Sequence, residues 1–236
     1  MNEPAAKVWE ILNKFEDIIE GGYRTKRTQI RPAHGSPAPE KSASAKPSGG
    51  GKAEELRALE DEVRECTRCG LSSGRKNAVP GKGAENPMVM IIGEGPGAEE
   101  DQTGVPFVGR AGRYLDKWLD AIGLSRETDT YIGNIVKCRP PGNRDPRPEE
   151  SSACLPFLIR QIELLRPTAI LTVGRIASQI LLETSRGIGA TRGRVYQFHD
   201  IPLVATYHPS GVLRNPEYRA PVWEDLKLLK TLLETT

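Results

Sequence analysis

The sequence predicts an α/β fold, with a parallel β-sheet covered by helices on both faces. Three observations carry this. Short apolar runs alternate with longer segments of helical periodicity. The first run of the core, Met88–Ile92, is continuously apolar and closed by Gly93, the pattern of a strand buried on both sides. The chain has 236 residues, 37% of them hydrophobic and 27% charged, enough for one sizeable core with attached tails.

The elements follow in order. Residues 1–22 read as an amphipathic helix, with Val8, Ile11, Leu12, Phe15, Ile18 and Ile19 on one face; such a helix either covers a core or binds a partner protein. Residues 23–52 read as a flexible basic linker, because GSPAPEKSASAKPSGGGK offers almost no apolar surface to bury. The folded domain spans 53–236. Leu56, Leu59, Val63 and Cys66 share a helical face and bring a cysteine pair inward at the helix end. Helices are expected at Gly112–Ile122, Pro148–Leu165, Arg175–Glu183 and Val222–Leu233. Strands are expected at Met88–Ile92, Thr130–Val136, Thr168–Val173, Val195–Phe198 and Leu203–Tyr207. Pro148 suits a first helical turn. In sheets of this kind, sites form where loops leave the carboxyl ends of the strands.

Composition narrows the function. No run of 18 apolar residues exists, so no membrane span is expected. The first 20 residues are acidic and lack a signal-peptide core, which makes a cytoplasmic location the expectation; a monomeric chain is expected as well. The net charge is only +2, but segment 23–52 holds seven basic residues against one acid. Nucleic-acid binding would therefore rest on local basic patches.

Three loops carry polar groups. After the first core strand comes Gly93-Glu94-Gly95-Pro96-Gly97, then Pro106-Phe107-Val108-Gly109. The glycine spacing is not that of a dinucleotide fingerprint, no helix is expected to begin directly, and no Walker Gly-Lys-Ser/Thr follows. After the second strand comes Asn134, whose amide can read the edge of a flat heterocycle. After the last strand comes His208-Pro209-Ser210, a candidate polar catalyst beside those loops.

Cys66, Cys69, Cys138 and Cys154 are the only cysteines. In a reducing compartment such a group points to metal, and its spacing leaves zinc and an iron–sulfur cluster equally open.

Taken together, these motifs in this order resemble the family 4 uracil-DNA glycosylases, over roughly residues 55–235. Gly95 departs from the family's usual Ala, and Ala98 stands where acidic residues are frequent. The resemblance implies a three-layer α/β/α sandwich around a four-stranded parallel sheet, a [4Fe–4S] cluster on the four cysteines, and excision of uracil from single- or double-stranded DNA in base excision repair. It implies that Phe107 stacks on the flipped base, Asn134 bonds the uracil edge, the Gly95 amide contacts the base, His208 sits beside its O2, and Glu94 lies near the sugar and the attacking water. Gly97 stands where the best-known family of these enzymes has a thymine-excluding Tyr. Such residue types suit the reaction: donors stabilise the developing uracil anion, a carboxylate stabilises the sugar cation or positions water, and an aromatic ring receives the extruded base.

Leu213 and Arg214, just past His208, are candidates to fill the gap left by that base. Lys137, Arg139, Arg144, Arg147, Arg192 and Arg194 are candidate phosphate contacts. Three other functions compete. A relative that cross-links to DNA would carry a His in the loop after the second strand, where this chain reads Arg139 to Arg147 without one. A non-catalytic iron–sulfur or zinc module of a polymerase or repair complex would use the N-terminal arm. A nucleotide-phosphate enzyme lacks its signature here.

Overall fold

The computed structural model describes residues 51–235; the expected helix at 1–22 and nearly all of the linker lie outside them. Helix α1 (Lys52–Glu65) begins at the linker's last expected residue. It buries Leu56, Leu59 and Val63 and delivers Cys66 as its C-cap. A 3-10 turn at Gly70–Ser73 follows. Next come strand β1 (Lys82–Gly83), strand β2 (Val89–Gly93), and helices α2 (Ala98–Thr103) and α3 (Arg110–Ile122). Strand β3 (Thr130–Asn134), helix α4 (Pro148–Leu165), strand β4 (Ala169–Val173) and helices α5 (Arg175–Leu181) and α6 (Ile188–Thr191) continue the alternation. Strands β5 (Val195–Phe198) and β6 (Ile201–Thr206) precede helices α7 (Pro209–Arg214) and α8 (Arg219–Thr235).

The strands form one sheet in the order β1-β3-β2-β4-β6-β5. The four central strands are parallel, as expected; β1 and β5 add antiparallel edges, so the sheet has six strands rather than four. Strands β2, β3 and β4 are buried at every position. Their side chains alternate between two cores. Met90, Ile92, Ile170 and Leu203 face α1, α4 and α5. Val89, Ile91, Leu171 and Val204 face α3 and α8. This period of two builds the three layers. Each large aliphatic residue so buried contributes about 1.5–3 kcal/mol.

Most element ends differ from expectation by one to three residues, and two differences bear on the site. Strand β3 stops at Asn134, yet the Ile135 and Val136 N–H groups still donate to the Gly93 and Glu94 carbonyls, at 2.9 and 3.1 Å. A helix does begin directly after Gly97, against the sequence reading. Helix α2 has six residues with no apolar stripe, and ends where Gly104 turns left-handed at φ 71°. So short a helix leaves no periodic signal.

Candidate active site

The glycine loop after β2 is dictated by close neighbours. A side chain at Gly93 would come within 2.5 Å of Asn134 Oδ1 and 2.6 Å of the Phe107 ring. One carboxylate then ties the loops together. Glu100 accepts from the N–H groups of Gly97, Val108 and Gly109, at 3.1, 2.9 and 2.9 Å. Phe107 lies just before this clasp in a left-handed conformation, φ 52°. Such a conformation is disfavoured for a bulky residue and must be held by its surroundings. They do hold it: a Cβ at Gly112 would fall 1.7 Å from the Phe107 carbonyl oxygen, so only glycine lets α3 pass, and Arg126 donates to the neighbouring Pro106 carbonyl.

The result is a cleft of about 440 Å³ at the carboxyl ends of the parallel strands. Glu94, Gly95, Phe107, Asn134 and His208 all line it. A larger hollow of about 770 Å³ lies between α1 and the β1 edge, but none of these residues reaches it. Volume does not locate the chemistry.

Among the described residues, most polar groups of the cleft are paired, but three of those predicted from sequence keep a free atom or an exposed charge towards it. Asn134 is buried, and its Oδ1 has no hydrogen-bond partner among the described residues. An unpaired buried acceptor costs about 1–3 kcal/mol, so it is poised for a donor from outside. The Ser210 N–H donates to His208 Nδ1 at 3.1 Å, with Ser210 Oγ 2.7 Å from the same nitrogen. Nδ1 is thus an acceptor, which leaves the ring hydrogen on Nε2. Burial, aided by the Arg214 charge and opposed by Glu100, pushes the His208 pKa down to about 4, so the imidazole is neutral. Its ring lies 5.6 Å from that of Phe107. Burial and then the Asp145 carboxylate push the Glu94 pKa up to about 7, against the pull of Arg175.

Sequence reasoning missed several of these groups. Asp145 and Arg175 pair across the cleft, one from the loop after β3 and one from the start of α5. The rule that sites sit at strand ends points to Arg175, directly after β4, making a fourth loop beside the three expected. Glu100 stands three residues after Gly97, a helix-start spacing that could have found it.

The expected DNA contacts divide. Arg214 is exposed and lines the cleft, whereas Leu213 on the same helix is half-buried and outside it. Arg144 lines the cleft and pairs with Glu150 at 2.7 Å. Arg139 is half-buried and donates to Asn143 at 2.8 Å. Arg147 and Arg194 are exposed. Two expectations fail. Lys137 is 1% exposed, its ammonium held by the Asn134 carbonyl and Gln161 Oε1 at 2.9 and 2.7 Å, so it cannot reach a phosphate. Arg192 is spent on the buried Asp225, at 2.8 Å.

All four cysteines line one small cavity behind the β3 loop, with Val63, Arg68, Lys137 and Phe157. Three sulfurs already accept donors: Cys138 from Arg75 Nη1 at 3.0 Å, Cys154 from the Lys137 N–H at 3.2 Å, and Cys66 from the Arg68 N–H at 3.5 Å. Such donors suit thiolates. Burial raises the thiol pKa of Cys138 and pushes that of Cys154 up to about 12. Among the described residues, no three His, Cys, Asp or Glu are gathered tightly enough for one metal ion.

Sheet, loops and cleft define an α/β protein with its polar site at the carboxyl ends of the parallel strands. The model of the uracil DNA glycosylase superfamily matches residues 80–227. A type-4 uracil-DNA glycosylase of Pyrobaculum aerophilum is 43% identical over 182 residues, covering 74% of this chain and 92% of the relative. One from Saccharolobus solfataricus is 45% identical over 186 residues, 75% and 86% of the two chains. One from Thermotoga maritima is 42% identical over 180 residues, 75% and 93%. The chain belongs to the type-4 uracil-DNA glycosylases.

Proposed function

We propose that this protein initiates base excision repair by hydrolysing the N-glycosidic bond of uracil in DNA, and that its cysteines carry a structural [4Fe–4S] cluster. The observation that carries the reading is the orphaned Asn134 Oδ1 on the wall of a cleft shared with His208 and Phe107. Uracil supplies what this acceptor lacks. Its N3–H donates to Oδ1, while the Asn134 amide nitrogen donates to O4. The pyrimidine leaves the duplex and stacks on Phe107.

As the C1′–N1 bond breaks, its electron pair passes to the base and is held across N1 and O2. The neutral His208 donates its Nε2 hydrogen towards O2, and the Gly95 N–H adds a second donor. Donors of this kind are each worth about 10²–10³ in rate. The Glu94 carboxylate faces the cationic sugar and orients the water that adds to C1′; the water's proton leaves towards that carboxylate. The uracil anion then takes up a proton at N1 from solvent as Glu94 returns its own, and the products are free uracil and an abasic site. Arg214 lies at the mouth of the cleft to meet the strand.

Cys66, Cys69, Cys138 and Cys154 would hold the cluster. Their spread around a cavity supports a polynuclear core over zinc, whose sulfur ligands converge at about 2.3 Å from one ion. When bound, the cluster supplies a clamp: it joins the end of α1, the β3 loop and α4, four residues beyond Asn134.

The test pairs an excision assay on a uracil-containing oligonucleotide with a visible spectrum of freshly purified protein. A brown protein that releases free uracil, and an Asn134→Ala variant slower by about 10²-fold or more, are expected. A protein that binds this DNA without releasing uracil would overturn the activity. A colourless zinc-loaded protein would overturn the cluster.

A further inference from the structure

The cysteine cavity has a charge that its own ligands do not balance. Four thiolates around a doubly positive core leave a net dianion, whether that core is [4Fe–4S] or zinc. A dianion in a protein interior needs nearby cations. Two are in place. Arg75 donates from Nη1 to Cys138 Sγ at 3.0 Å and to the Cys66 carbonyl at 2.9 Å, while its Nη2 donates to the Arg64 carbonyl at 2.6 Å. One guanidinium thus caps the end of α1 and joins the Cys66 segment to Cys138. The second cation is Lys137. Its ammonium is fully buried, yet its partners are neutral: the Asn134 carbonyl and Gln161 Oε1, itself anchored through Nε2 to the Pro80 carbonyl at 2.9 Å. No carboxylate bonds it among the described residues. Its own backbone N–H reaches Cys154 Sγ.

We propose that Arg75 and Lys137 are the charge partners of the cysteine-bound core, and that Lys137 is a positioning residue tying that core to the base-reading Asn134. The inference rests on the metal-binding reading of the cysteines, but not on which metal they hold. Lys137 touches both sites: its backbone N–H donates to Cys154 Sγ at 3.2 Å, and its ammonium holds the carbonyl of the residue that reads uracil at 2.9 Å. Metal loss would strip its counter-charge and loosen Asn134.

The test compares full-length Arg75→Gln, Arg75→Lys and Lys137→Met with the parent. The first readout is release of bound metal to excess chelator. Loss of either cation should speed release by about 10-fold or more, the usual effect of removing a group that supports a metal ligand. Arg75→Lys, which keeps the charge, should fall between Arg75→Gln and the parent. The second readout is inhibition of excision by free uracil. Lys137→Met should weaken it by about 10-fold, and Arg75→Gln should leave it unchanged. Release rates equal to the parent's in Arg75→Gln would overturn the charge assignment, and that half-exposed side chain keeps this arm open if Lys137→Met does not fold. Unchanged uracil inhibition in a folded Lys137→Met would overturn the tie to Asn134. Finding zinc instead of iron would refute the iron–sulfur reading alone, since chelator release measures either metal.

Discussion

Two carboxylates near the carboxyl ends of the parallel strands, one fully buried on α8 and one half-buried after β2, are treated in opposite ways. Asp225 on α8 is fully buried and accepts four donors: Arg192 Nε and Nη2, the Gly193 N–H and Thr206 Oγ1. Glu94, after β2, faces the cleft, and no donor reaches its carboxylate among the described residues. Burial raises both pKa values, but only around Asp225 does a shell of donors pull back. A satisfied buried carboxylate holds a fold together. A half-buried carboxylate without donors is costly to keep, and is kept where it can act.

Exchanging the two kinds of side chain for neutral ones should separate these roles. Glu94→Gln should slow uracil release by about 10²-fold or more in single-turnover assays. The parent's rate should fall as pH drops through about 7, because the carboxylate is the working form; His208, neutral down to about 4, does not set that limb. Stability should move the other way. The folded state holds the Glu94 proton up to about 7, against 4.5 for the ordinary side chain, so its burden grows across that window and is complete above it. Glu94→Gln should therefore melt higher than the parent at pH 8 and no higher at pH 4. A variant that keeps its rate would erase the contrast.

Asp225→Ala is the counterpart. Stranding Arg192 should destabilise the protein by about 3–5 kcal/mol in urea unfolding, while excision per folded molecule stays near the parent's. Glu100→Gln tests a carboxylate between these extremes, fully bonded yet beside the site. With one acceptor oxygen for three N–H groups, it should lose about 1.5–3 kcal/mol of stability and raise KM for uracil-containing DNA. An unchanged KM would detach the clasp from Phe107. The smallest effect belongs to Gly95→Ala. The added Cβ would meet Val136 Cγ2 at 2.8 Å, so about 1 kcal/mol of stability should go, and Val136→Ala should restore part of it.

Long apolar runs and long amphipathic helices were legible because burial on both faces leaves a pattern in sequence. Pro148–Leu165 and Val195–Phe198 match the observed elements residue for residue. The site was legible where it rests on motifs at strand ends: Glu94, Phe107, Asn134 and His208 do line one cleft. What escaped depends on contacts between distant segments. Lys137 looks like a solvated cation from its neighbours Arg139 and Arg144, and only the packing of Gln161 above it shows otherwise. Arg192 is claimed by a partner 33 positions away. Helix α7 is six residues long and starts at Pro209, with His208 as its cap, too short for any apolar stripe.

The outer strands bear on how such a sheet survives its own assembly. Its central strands come from distant parts of the chain, so pairing them is slow and leaves apolar edges open. Strand β1 offers only Lys82 and Gly83, both exposed, and so gives a second molecule almost nothing to template against. A two-residue strand is a poor contributor to cohesion but an effective guard against aggregation.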